Sequence, residues 1–97
     1  MDKEDVFGCL KSVIDPEIKR NIVDLGLVYD VKFSDKEIVV FMTLTSPACP
    51  VGGFIVDNVK SAVKESFKDF FVQVNLVWDP PWSTDMIADH IKLELGL

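Results

Sequence analysis

One block constrains this chain more than any other part of it. Ile38 to Leu44 is an apolar run; Thr45-Ser46-Pro47-Ala48-Cys49-Pro50-Val51-Gly52-Gly53-Phe54 follows; then Ile55, Val59, Ala62, Val63 and Phe67 recur at helical spacing. A run apolar on both faces reads as a central strand, here Ile38 to Thr45. The spacing after it predicts a helix from about Pro50 to Phe67. Lys68-Asp69 breaks that pattern. Phe71 to Trp78 then alternates, with Val72, Val74, Leu76 and Trp78 on one face and Gln73 and Asn75 on the other. Strand, helix, strand in succession demand a right-handed crossover, so the later strand must run parallel to the earlier one.

The remaining segments attach to this unit. Val6, Phe7, Leu10, Val13 and Ile14 share a face of a helix predicted over Lys3 to Ile14, with Asp2 as its cap. Asp15-Pro16 closes it, because a residue before proline avoids the helical region. Asp15-Pro16-Glu17 opens a single turn, with Ile18 or Ile22 pinning it to the core. Asp24-Leu25-Gly26 reads as a turn, with Gly26 at a position suited to positive φ. Leu27, Tyr29, Val31 and Phe33 alternate with Val28, Asp30 and Lys32, as a half-exposed strand does. Ser34-Asp35-Lys36 makes the hairpin. After Asp79-Pro80-Pro81-Trp82, Ser83 or Thr84 caps a last helix to about Leu95, with Gly96 as its stop. The expected fold is α+β in two layers: helix, strand, strand, helix, strand, helix, with a small three-stranded mixed sheet and helices packed on it.

Composition narrows the function classes. The chain has 97 residues, 48% of them hydrophobic, and a formal net charge of −6. That length suits one domain spanning residues 1–97 with one core. The acidic balance argues against a nucleic-acid partner, which needs a basic face. No apolar run is long enough for a membrane span, and the acidic start lacks a signal-peptide pattern, so a cytoplasmic setting is expected. Two cysteines and one histidine cannot build a self-contained four-ligand zinc or iron–sulfur site of sulfur and imidazole. A Cys9–Cys49 disulfide is disfavoured in a reducing compartment.

The junction carries chemistry. Pro50 suits the first position of a helix, which places Cys49 at or beside the cap. There the free amides and the helix dipole favour a thiolate. Gly52 and Gly53 leave the first turn open to close approach. The alternative is an inert packing cysteine, since cysteine is among the most buried residue types. Topology gathers other groups at the same sheet edge: Thr45, the Asp24 turn, and Trp78 through Trp82, with Asp15 and Glu17 one connection upstream. Each has a plainer reading. Asp15 caps its own turn, Asp24 orders its own, Thr45 bonds the strand-end backbone, and Trp78 belongs to the core by its alternation. Trp82 has no periodic reason to be buried, though it can staple the last helix. His90 reads as ordinary surface.

Four motifs occur in order: Asp15-Pro16-Glu17, Asp24-Leu25-Gly26-Leu27-Val28, Thr43-Leu44-Thr45-Ser46-Pro47-Ala48-Cys49-Pro50, and Trp78-Asp79-Pro80-Pro81-Trp82. Together they resemble the metal–sulfur cluster biosynthetic family, which includes SufT- and PaaD-like domains, over Val6 to Gly96. The resemblance implies an iron–sulfur cluster assembly domain that assembles or delivers clusters. It implies cofactor-binding roles for Cys49, Thr45, Asp24, Asp15 and Glu17, with Cys49 as the metal ligand. Cys9 lies outside the pattern. The resemblance further implies iron–sulfur scaffold or client proteins as partners, with a separate P-loop ATPase of the Mrp type supplying any nucleotide chemistry.

A cluster held by thiolates takes four ligands, and one chain offers one well-placed thiol. A bound cluster is therefore expected to be transient and shared, between chains of a homodimer or with a client, and none is expected tightly bound in isolation. The leading reading is an accessory protein without turnover. The alternative is an adaptor in which Trp82, Pro80, Pro81 and Asp79 bind a partner and Cys49 is incidental. A thiol redox enzyme lacks its Cys-x-x-Cys pair. A hydrolase lacks a histidine beside Cys49 to act as base.

Overall fold

The computed structural model describes residues 3–45 and 52–97. In chain order these form α1 (Lys3–Leu10), β1 (Val28–Phe33), β2 (Glu37–Met42), α2 (Gly52–Ser66), β3 (Phe71–Leu76), a 3-10 turn (Thr84–Met86) and α3 (Asp89–Leu95). This is the expected order of elements. The Asp2 cap, the helix start at Pro50 and Cys49 itself fall outside the described residues.

The sheet has the order β1-β2-β3. β1 runs antiparallel to β2, and β3 runs parallel to it, in register from Glu37↔Phe71 to Met42↔Leu76. Burial follows the two periods. Ile38, Val40 and Met42 of β2 and Val31 of β1 are buried, as are Ile55, Val59 and Val63 of α2 and Val6 and Leu10 of α1. One face of the sheet therefore meets the helices. The other face of β2 is not sealed: Val39 and Phe41 are half-buried. The Lys32 ammonium lies 5.5 Å from the Phe41 ring centroid and shields it in part.

β1 contains a bulge. Val28 pairs with Met42 and Asp30 with Phe41, so Tyr29 is the extra residue. A bulge breaks the alternation and re-aims a side chain. Beyond it, the Lys3 ammonium bonds Asp30 Oδ1 at 2.8 Å. That bond, helped by the Val31 amide, holds the Asp30 carboxyl below its usual value.

Three expectations are corrected. α1 ends at Leu10, not Ile14. Ser12 Oγ bonds the Cys9 carbonyl at 2.7 Å and closes the last turn. Val13 and Ile14 then turn to the strand-like segment beyond: Ile22 N–H donates to the Val13 carbonyl, and Ile14 bridges Asn21. The last helix is interrupted: Ile87 and Ala88 separate the 3-10 turn from α3, because the Ala88 N–H is donated to the Asp24 carbonyl at 2.7 Å. Trp78 is not core. It is 44% exposed, since β3 ends at Leu76 and the chain has left the covered face.

Candidate functional site

Backbone bonds define one rim of the sheet. Thr43 N–H donates to the Leu27 carbonyl at 2.8 Å, joining the end of β2 to the start of β1. Val77 N–H donates to the Met42 carbonyl at 2.8 Å, joining the end of β3 to the same place. The Asp24 turn, Thr43 to Thr45 and the start of the Trp78–Trp82 loop thus share one edge, as the parallel crossover requires.

The turn before β1 is built by Asn21. Its Oδ1 accepts the Asp24 N–H at 2.9 Å, and its Nδ2 donates to Asp24 Oδ2 at 2.9 Å. These reciprocal bonds do the work of a helix cap. The imidazole Nε2 of His90 stands 3.4 Å from the same Oδ2. Four residues on, Glu94 Oε2 accepts from Arg20 Nε at 3.1 Å. His90 and Glu94 lie one turn apart on α3, and Asp24 and Arg20 flank the 21–24 turn, so α3 docks on this turn by two polar pairs. His90 is exposed, and it flanks the Asp24 turn. The spacing of His90 and Glu94 is the available signal, but their partners, Asp24 and Arg20, lie 66 or more residues away in sequence and no local pattern announces them.

Gly26 follows at φ 74°. A Cβ there would collide with the Met86 carbonyl oxygen and stand 2.8 Å from Met86 Cβ. The missing side chain is what lets the 3-10 turn settle on the Asp24 turn.

The Pro80–Trp82 loop is latched down at two points. Trp82 Nε1 donates to the Leu25 carbonyl at 2.7 Å, and its ring packs on the core. The Tyr29 hydroxyl donates to the Pro80 carbonyl at 2.7 Å and lies 3.6 Å from Met86 Sδ. The bulge turns Tyr29 toward this loop. Burial pushes the Tyr29 phenol above its ordinary pKa; the Thr43 hydroxyl opposes the shift and the nearby Asp79 charge adds to it.

A phenol whose folded pKa is raised stabilises the fold fully below the unfolded value, about 10. That contribution is lost as pH rises through the folded value. Tyr29 is the only tyrosine, so phenolate absorbance reports it alone. The expected result is a titration midpoint above that of free tyrosine. Tyr29→Phe should remove this part of the stability loss at high pH; a midpoint at the free value would mean the latch is open.

The other predicted residues are placed as follows. Asp15 is buried, and its Oδ1 accepts the N–H groups of Glu17 at 2.8 Å and Ile18 at 3.0 Å. Its carboxylate serves its own turn, which also holds Lys19 at φ 64°. The Glu17 side chain is exposed, Thr45 is half-buried, and Pro80, Pro81 and Asp79 are exposed. The rim brings together Asp24, Pro80 and Trp82. Asp15 and Glu17 sit on the adjoining loop, linked to it through the Ile14–Asn21 bridge. Among the described residues, no three histidine, cysteine, aspartate or glutamate side chains converge to hold a metal ion. Cys49 falls outside those residues.

Comparison with known proteins gives this geometry a context. The sequence model of a family described as iron–sulfur cluster assembly protein matches residues 3–76. The chain is 42% identical over 96 residues to the Fe-S protein maturation auxiliary factor YitW of Bacillus subtilis, covering 98% of this chain and 94% of that one. It is 46% identical over 86 residues to the Fe-S protein maturation auxiliary factor SufT of Staphylococcus aureus, covering 88% and 98%. The crystal structure of a domain of unknown function from Bacillus anthracis superposes with a TM-score of 0.92 at 39% identity, covering 98% and 92%. With the match spanning most of the chain in sequence and in structure, this protein belongs to the iron–sulfur cluster assembly protein family.

Proposed function

We propose that this protein is an accessory factor in the maturation of iron–sulfur proteins, with the cluster as its cargo and the Cys49 thiolate as a transient ligand. The observation that carries the reading is the convergence of Asp24, the Tyr29 latch and the Pro80–Trp82 loop on the edge from which the chain leaves β2 toward Cys49. Cys49 is joined to Thr45 by three intervening residues and to Gly52 by two. One thiol cannot hold a cluster that takes four, so the other ligands come from a recipient, a scaffold or a small thiol. The described residues offer no competing metal centre. Asp24 Oδ2 already accepts from Asn21 Nδ2 at 2.9 Å, which orients the carboxylate before any cargo arrives. Asp15 acts by shaping its turn, Thr45 and Asp79 contribute polar groups at the rim, and Glu17 contributes one from the adjoining loop. The protein performs no turnover of its own. Iron–sulfur scaffold and client proteins are its partners in the cytoplasm, and a separate Mrp-type ATPase supplies any nucleotide-driven step.

Replacement of Cys49 by serine is the test. In cells, the activity of iron–sulfur client enzymes should fall to the level seen without the protein, while the variant accumulates normally. The pH dependence of Cys49 alkylation should have its midpoint below the free-thiol value of about 8.5. Unchanged client maturation in Cys49→Ser cells would remove the thiol from the mechanism.

A further inference from the structure

The two edges of the sheet are built differently. β1 carries a bulge at Tyr29 and the charged residues Asp30 and Lys32, and Lys3 of α1 bonds Asp30. Charges and bulges are the devices that keep sheet edges from pairing with other chains. β3 has neither. Phe71, Val72, Gln73, Val74, Asn75 and Leu76 include no charge and no proline, and their register with β2 is unbroken. Phe71 N–H donates to Lys36 and Val77 N–H to Met42, so the odd-numbered residues face β2. In a parallel ladder the alternate residues then point the other way. The N–H and C=O groups of Val72, Val74 and Leu76 line the outer edge, and among the described residues no strand pairs with them.

We propose that this edge pairs with β3 of a second copy of the chain, antiparallel about a two-fold axis, to make one six-stranded sheet. Three features fit a second copy. First, the chain carries a net charge of −6, and β3 lets two copies meet along an uncharged stretch. Second, the strand is self-complementary. With Val74 on the axis, Val74 faces Val74, Val72 faces Leu76, and Gln73 faces Asn75. Apolar then meets apolar, amide meets amide, and all three outward residues form hydrogen-bonded pairs, about six bonds in total. The half-buried Val72 and Val74 and the exposed Leu76 gain cover. Third, the charges at the ends match. Lys64 Nζ is held at the start of β3 by the Lys68 and Phe70 carbonyls, at 2.9 and 2.6 Å. Lys68 and Lys36 lie at the same end together with the acids Asp69 and Glu37, the register partner of Phe71, while Asp79 is exposed beyond the far end. A two-fold sets the lysine end of each strand by the Asp79 end of the other.

The pairing does not rest on the proposed function, but it bears on it. Antiparallel strands of six residues span about 20 Å, so the two rims face opposite ways.

The test is sedimentation of the full chain together with backbone amide exchange, across micromolar to sub-millimolar concentration. The expected species is a reversible dimer of the 10.9 kDa chain, in which the Val72, Val74 and Leu76 amides exchange more slowly as concentration rises. Gln73 is exposed, so Gln73→Lys should fold normally and weaken the dimer by about tenfold or more. Val74→Pro deletes an outward donor that β2 does not use, and should abolish it. Cys49→Ser should leave it intact, which separates this outcome from a failure of the thiol reading. A monomer at every concentration overturns the proposal, even if another protein's strand is found on the same edge. So does a dimer whose three outward amides exchange at the monomer's rate.

Discussion

Replacing Gly26 with alanine is expected to destabilise the protein by about 3 kcal/mol, the largest effect predicted for a change of one methyl group in this chain. Two costs add. At φ 74° an L-residue lies in the left-handed region, at about 1–2 kcal/mol. The new Cβ also collides with the Met86 main chain: its carbonyl oxygen is the nearest atom, and its carbonyl carbon would be 2.9 Å away. A main-chain neighbour cannot swing aside as a side-chain end can, so overpacking adds about 1–3 kcal/mol. The 3-10 turn must lift, and it carries Met86 away from Tyr29 and strains the Ala88–Asp24 bond. For a chain of this size the midpoint of thermal unfolding should drop by roughly 12–24 °C. Gly8 is the control. It lies in α1 with nothing within 4 Å of an added Cβ, so Gly8→Ala should stabilise by about 0.5–1 kcal/mol. Urea unfolding of both variants measures the pair; equal effects would mean that Gly26 is not in contact with the 3-10 turn.

The same contacts explain what could be read from the sequence and what could not. β2, α2 and β3 were legible because one period governs each and burial enforces it: Ile38, Val40 and Met42 at two, Ile55, Val59 and Val63 at four. The parallel crossover then places the Asp24 turn and the tryptophan loop at one edge. The misreadings share a cause. Val13 and Ile14 continue the apolar stripe of α1, yet their backbone groups pair with Asn21 and Ile22, and tertiary pairing outweighs propensity. Ala88 sits in a helical pattern, yet its N–H goes to Asp24. Tyr29 fits a regular alternation, so nothing in its neighbours reveals the bulge that turns it toward Pro80. Asp15 is the reverse case. Aspartate before proline is a common turn-builder, and its two backbone acceptor bonds bear out that plain reading, whatever further role its family position implies.

The two tryptophans are expected to divide sharply on mutation. Trp82→Ala should cost about 2–3 kcal/mol, and Trp78→Ala less than about 0.5. Trp82 packs on the core and gives its N–H to the Leu25 carbonyl at 2.7 Å. Truncation removes that apolar contact and leaves a carbonyl of the Asp24 turn without its donor. Trp82→Phe keeps most of the packing and loses only the hydrogen bond, about 1 kcal/mol. Trp78 is 44% exposed and has no comparable role in the fold. The difference bears on function. If the rim binds a partner through an indole, loss of binding in Trp82→Ala proves little, because that variant also frees the Pro80–Trp82 loop. Trp78→Ala keeps the fold and removes an exposed indole at the same edge, so it is the informative variant. Partner capture lost in Trp78→Ala but kept in Cys49→Ser would favour an adaptor. Capture kept in Trp78→Ala, with client maturation lost in Cys49→Ser, would place the work on the thiol. Chemical denaturation followed by fluorescence measures the stabilities, with Trp82 emitting from the more apolar site; equal costs for the two alanine variants would mean that the Leu25 bond is not holding the loop.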